Sequence, residues 1–125
     1  MLIPQNLYYT KDHLWLRKVG LYDFCIGITD FAQKEIGEIN LIELDLKGST
    51  IGKSVSWGAV YGINATFSLI APCACKITAV NTILNTKPSH VNTDPYNNWF
   101  LSISTHIFAN EFLTCEEYNL LLNDF

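Results

Sequence analysis

A mainly β fold is what this sequence predicts, and three observations lead there. Turn-forming Gly, Pro, Asn, Asp and Ser recur at close spacing along the chain. Between them lie short apolar runs, the first of which, "HLWLRKV", alternates with a period of two. Helical periodicity is scarce and confined to short stretches near 30–36 and 115–122. Short strands with small helices attached read as one domain over 1–125, with no internal linker or low-complexity segment.

The elements follow in order. "HLWLRKV" reads as a half-buried strand ended by Gly20, and "YDFCIGIT" as its returning partner. In "TDFAQKEIG" the period changes. Thr29 is placed to cap a short helix, Asp30 suits its positive end, and Gly37 is placed to stop it with left-handed backbone angles. "EINLIEL" is a strand and "LKGSTIGKS" a loop, and Val55 to Ile63 returns to β. Within "YGINATFSLIAP" the chain reverses at Asn64-Ala65, so Tyr61 to Pro72 forms a hairpin displaying Asn64 at its tip. Asn tolerates left-handed angles, which gives it a purely conformational reason to stand there. "CKITAV" and "WFLSIS" are the last strands, separated by a long polar connection from Asn81 to Asn98 holding Pro88 and Pro95. At the C-terminus, Thr114 and Glu117 make a capping box, Leu113 is placed to staple onto Tyr118, and Tyr118, Leu121 and Leu122 form a docking stripe.

Composition excludes several functions. The chain has 125 residues and no run of about 18 apolar ones, so no membrane span is expected. Its start, "MLIPQNLYYTKDH", lacks the features of a signal or transit peptide, which points to the cytoplasm. Net charge is -4 with a single arginine, Arg17, and no basic cluster, so nucleic acid is not an expected partner. Charged residues are only 16% of the chain, against roughly 25% in typical domains, which implies an unusually neutral surface.

No phosphate loop, H-E-x-x-H motif or nucleophile elbow is present. Cys25, Cys73, Cys75 and Cys115 read as reduced structural thiols. "PCAC" puts Cys73 and Cys75 on one face of a strand, a spacing shorter than metal hairpins prefer, and His13, His90 and His106 are scattered; no metal site is expected. Glu35, Glu38, Glu43 and Asp45 read as a solvated face, not as paired catalytic carboxylates. "NAT" at Asn64–Thr66 matches a glycosylation sequon without a secretory context. The residues give no indication of an enzyme.

"YTKDHLWLR", "GITDFAQKEIGEI", "VNTDPY" and Ala71-Pro72 together resemble the H protein of the glycine cleavage system, in the family's order and spacing from about Tyr8 to Leu122. The resemblance implies a barrel-sandwich hybrid of small sheets. It also implies a shuttle in which a lysine at the hairpin tip carries lipoate to three enzymes: a pyridoxal-phosphate decarboxylase, a folate-dependent aminomethyltransferase and a flavin dehydrogenase. Aligned on Ala71-Pro72 without a gap, the family's lysine falls on Asn64. The nearest lysines, Lys53 and Lys76, belong to other segments. Tyr61 stands where the family has a glutamate read by attachment enzymes, and Leu14 and Ser68 where carboxylates attend the arm. "YNNWF" lacks the family's two glycines before the tryptophan, so the Pro95–Trp99 loop should differ locally.

The resemblance thus implies an H-protein-like chain without a lipoate acceptor: a non-lipoylated paralogue acting as a binding or regulatory module. Its expected partners are the glycine cleavage enzymes, a lipoate-attaching enzyme or a second copy of itself. The alternatives are an aminomethyl carrier in glycine catabolism and a degenerate paralogue without function. Leu14, Tyr61, Asn64, Phe67 and Ser68 are the expected contact surface, an apolar patch where the arm was served. The competing expectation is that these side chains fold inward and fill the empty cleft.

Overall fold

The structure, a computed structural model, describes residues 1–45, 50–107 and 109–123. Among these described residues nine strands form two antiparallel sheets. In chain order they are β1 (Tyr8–Tyr9), β2 (Leu14–Lys18), β3 (Asp23–Ile28), β4 (Ile39–Leu44), β5 (Thr50–Ile51), β6 (Ser56–Gly62), β7 (Thr66–Ile70), β8 (Cys75–Val80) and β9 (Leu101–Ser104). The larger sheet runs β1-β2-β3-β9-β8-β5 and the smaller β4-β6-β7. The described residues also form the α-helices α1 (Asp30–Ile36), α2 (His90–Thr93) and α3 (Cys115–Leu122). Among the described residues no helix is long and apolar enough to cross a membrane.

Both expected helices form over the expected residues. Thr29 caps α1, accepting from the Ala32 amide, and Gly37 ends it at a φ of 77° that only glycine adopts cheaply. At α3 both halves of the Thr114–Glu117 capping box are made.

One core lies between the sheets, built from Leu14 and Leu16 of β2, Phe24, Ile26 and Ile28 of β3, Trp57 and Val60 of β6, Leu69 of β7, and Leu101 and Ile103 of β9. A second core, of Leu7, Tyr9, Trp15, Tyr96 and Tyr118, fills the space under α3, where the Tyr9 and Tyr118 rings stack at 4.8 Å. Strand β2 is therefore not half-buried as its alternation suggested: Leu14, Trp15 and Leu16 are all buried. The reason is tertiary. Trp15 points away from the first core but is covered by the second, and its indole donates to the Pro95 carbonyl at 3.0 Å. Its cross-strand partner is Gly27, where an added Cβ would sit 2.5 Å from the indole, so the glycine makes room for the ring.

Two stretches expected as irregular carry structure. "LKGSTIGKS" contributes the two-residue strand β5, which pairs with β8; residues 46–49 of that stretch lie outside the described residues. The connection from Asn81 to Asn98 holds a 3-10 turn at Thr82–Asn85 and then α2. Burial decides this: Leu84 and Val91 are drawn into the first core, which winds the intervening backbone into short turns. Asn92 then acts as a clamp. It accepts from the Ile39 amide at 2.8 Å and donates to the Gly37 carbonyl at 2.8 Å and to Gln33 Oε1 at 3.0 Å. These bonds tie the end of α1 to the start of β4.

Candidate functional site

The β6–β7 hairpin turns at Ile63, Asn64 and Ala65, closed by the Gly62 amide donating to the Ala65 carbonyl at 3.0 Å. The tip does not project freely. The Ile63 amide donates to the Glu38 carbonyl at 3.0 Å and the Asn64 amide to the Ile36 carbonyl at 2.9 Å, so the turn is fastened to the C-terminal end of α1. Two glycines permit the contact. A Cβ on Gly62 would fall on Ile36 Cγ2 and on the Ile36 carbonyl, and one on Gly37 would meet Asn64 Nδ2 at 2.7 Å. Helix α1 is itself pinned by Asn92, so the position of residue 64 is fixed by the packed body of the molecule.

Asn64 is exposed at this tip, and its φ is not among the positive ones, which among the described residues belong to His13, Ser54 and Gly37. The turn therefore does not draw on asparagine's tolerance of left-handed angles, and the conformational reason for its presence falls away.

The other expected contact residues divide between the two faces of the smaller sheet. Val60 and Leu69 point into the core, so Tyr61 and Ser68, one residue out of phase with them, face outward. Tyr61 is 37% exposed and sits across from Leu41, and the charge of nearby Glu43 pushes its phenol upward. Ser68 lies beside it in a shallow groove with Glu43, Asp45, Ser56 and Ala59. Phe67 points the other way, half-buried against the main core and 6.2 Å from the His13 ring. Leu14 is 1% exposed within that core. The single apolar patch expected from Leu14, Tyr61, Asn64, Phe67 and Ser68 is thus not assembled. Leu14 and Phe67 fill the interior, while Tyr61 and Ser68 share a face with carboxylates.

A polar chain absent from the sequence reading runs behind this site. His13, at φ 65°, brings Nδ1 to 2.8 Å from the Tyr118 hydroxyl, which lies 2.8 Å from Thr29 Oγ1, the cap of α1. The Thr29 amide in turn donates to the His13 carbonyl at 3.0 Å. Burial lowers the His13 pKa, against the opposing charges of Asp12 and Glu35. Burial also pushes the Tyr118 hydroxyl up, so it stays protonated as a link between two elements. The "DH" turn, the helix cap and α3 are thereby joined through one hydroxyl. A lone histidine, a capping threonine and a tyrosine far apart in the sequence carried no signal that they meet.

A family model described as "Glycine cleavage H-protein" matches residues 7–125. This chain belongs to the glycine cleavage H-protein family. A glycine cleavage system H protein from Salinibacter ruber is 43% identical over 101 residues, covering 80% of this chain and 81% of that one. The H protein of Anoxybacillus flavithermus is 36% identical over 126 residues, covering 98% of each. Among solved structures, the crystal structure of a glycine cleavage system H protein from Mycobacterium marinum superposes with a TM-score of 0.85 at 30% identity, covering 98% of this chain and all of that one. The barrel-sandwich arrangement is therefore that of an H protein.

Proposed function

We propose that this H-protein homologue acts through non-covalent contacts with other proteins, as a binding or regulatory module, and carries no lipoyl arm. The supporting observation is the tip: a frame of backbone hydrogen bonds and close-fitting glycines presents residue 64, and that residue is Asn64. The resemblance that aligns Ala71-Pro72 without a gap puts the family's lipoyl lysine there. Amide formation with activated lipoate needs a primary amine. A carboxamide nitrogen has its lone pair delocalised into the carbonyl and is not nucleophilic. The residues present at the tip do not fit lipoate. On this reading the protein is not an enzyme, works in the cytoplasm, and meets the glycine cleavage enzymes, a lipoate-attaching enzyme or a second copy of itself.

A second reading, an aminomethyl carrier in glycine catabolism, has the relatives on its side, since those reported above are all described as glycine cleavage system H proteins. It needs an acceptor amine elsewhere. Lys76 lies on β8 in the other sheet, and Lys53 between β5 and β6, so neither shares the tip's frame. Intact-mass measurement after co-expression with an active lipoate-attaching enzyme separates the two. Only unmodified protein is expected, whereas a lipoyl adduct on any lysine establishes the carrier.

A further inference from the structure

A cavity of about 270 Å³ opens where the β1–β2 turn, the β5–β6 connection, the end of β7 and the 3-10 turn Ala109–Glu111 meet. Part of its lining is apolar and buried, from Tyr9, Ala71 and Phe112. Phe112 is itself packed edge-on to Phe24, with ring centres 5.8 Å apart. Four charged side chains line the cavity as well: Lys11 and Asp12 from the β1–β2 turn, Lys53 from the β5–β6 connection, and Glu111 from the 3-10 turn.

The walls are fixed by hydrogen bonds. In the β1–β2 turn the His13 amide donates to the Thr10 carbonyl at 3.1 Å and the Asp12 amide to Thr10 Oγ1 at 3.3 Å. The Ser54 amide donates to the Ala71 carbonyl and the Ala71 amide to the Val55 carbonyl, both at 2.9 Å. Leu113 and Tyr9 exchange two amide bonds of 2.8 Å. Two of these segments are strained. His13, next to Asp12, has a φ of 65°, and Ser54, which lines the cavity, one of 66°; among the described residues no other non-glycine residue has a positive φ. Residues with a Cβ rarely adopt such angles, and strain of this kind gathers at functional sites.

None of the four charges is ion-paired among the described residues, where the one ion pair joins Lys34 to Asp30. Two ammonium groups and two carboxylates around one small space select the ligand by sign. An anion would gain from Lys11 and Lys53 but be repelled by Asp12 and Glu111, and a cation the reverse. An uncharged apolar molecule would strip water from all four without replacing it. A zwitterion meets both signs with charge-assisted hydrogen bonds. The volume lies just under the roughly 300–1,000 Å³ of drug-sized sites, so the ligand is small. We infer that this cavity binds a free α-amino acid with an aliphatic side chain. Asp12 and Glu111 receive its ammonium group, Lys11 and Lys53 its carboxylate, and the side chain lies on Ala71 and Phe112. The site shares no residue with the hairpin tip, so it is an effector site in addition to the protein contacts proposed above.

The test is titration of the isotope-labelled full chain with L-leucine, followed by amide NMR. The amides of Asp12, Ser54 and Phe112 are expected to shift saturably while those of Asn64 and Ala65 hold still. Leucine amide, which lacks the carboxylate, and isocaproate, which lacks the ammonium group, should each bind about tenfold more weakly. Glycine, with no side chain to lay on Phe112, should also bind about tenfold more weakly than leucine. The double variants Lys11→Gln, Lys53→Gln and Asp12→Asn, Glu111→Gln should each weaken leucine about tenfold. The rest of their amide spectrum should stay in place, which reports an intact fold. No saturable shift up to the solubility limit of leucine would overturn the inference. So would analogues that bind as tightly as leucine, or an affinity unchanged in both double variants.

Discussion

Asn64→Lys would supply the amine that lipoate attachment needs, in a turn whose backbone does not depend on asparagine. Modification of the single variant should nevertheless be poor, because Tyr61 replaces the glutamate that attachment enzymes read in the family. Adding Tyr61→Glu should raise the lipoylated fraction more than additively, since both residues enter one recognition event. The new carboxylate would lie near Glu43 on an exposed face, where solvent screens like charges. Efficient lipoylation of Asn64→Lys alone, read by intact mass, would show Tyr61 to be incidental. A second residue-scale prediction concerns Tyr118, fully buried and bonded through its hydroxyl to His13 and Thr29. Tyr118→Phe keeps the ring stacked on Tyr9 but leaves both partners short of a bond, at a cost of about 1–3 kcal/mol. A urea midpoint lowered at unchanged slope would register it; an unchanged midpoint would mean water replaces the hydroxyl.

The elements that place the tip are helix α1 and the β6–β7 hairpin, and their contact depends on glycine. Gly62→Ala inserts a methyl group where Ile36 already stands, so the hairpin must lift from the helix end. Overpacking of this kind costs roughly 1–3 kcal/mol. Its signature should be local: the Ile63 and Asn64 amides, which donate to Glu38 and Ile36, should lose protection from hydrogen exchange while β2 and β3 keep theirs. Uniform loss across the chain would show that the tip contact is part of the global fold. Helix α3 gives a milder case. Thr114→Ala removes the side-chain half of the capping box and should cost about 1 kcal/mol. The loss should appear in the thermal midpoint without a change in the tip amides, since α3 docks through Tyr118 on the opposite core.

For the molecule as a whole, acidification should weaken the fold. Burial depresses His13, so the unfolded chain holds that proton more tightly; the stability is fully present above the unfolded value of about 6.5 and is lost as pH falls through the folded one. Asp30 acts in the same direction at lower pH. Burial would raise it, but donors from Gln33, Leu2 and Lys34 outweigh burial and hold it low. Denaturant midpoints should therefore decline from neutrality toward about pH 5, and His13→Asn, tolerated at φ 65°, should flatten that decline. An equally steep decline in the variant would assign the acid sensitivity to other groups. The sequence by itself determined α1, α3, the hairpin, most strands and the family, because caps, turn residues and alternation act over a few neighbouring positions. Thr29, Gly37 and the Thr114–Glu117 box do their work within one turn of backbone. Only the tertiary structure decided which faces are covered. Leu14 looked like a surface replacement until the core closed over it, and β2 like a half-buried strand until Tyr96 and Tyr118 packed around Trp15. Asn92, His13 and Tyr118 meet partners more than 50 positions away, and Thr105 meets the Ala74 carbonyl across 31. Burial and long-range hydrogen bonds depend on what packs from elsewhere in the chain, and no local pattern records that.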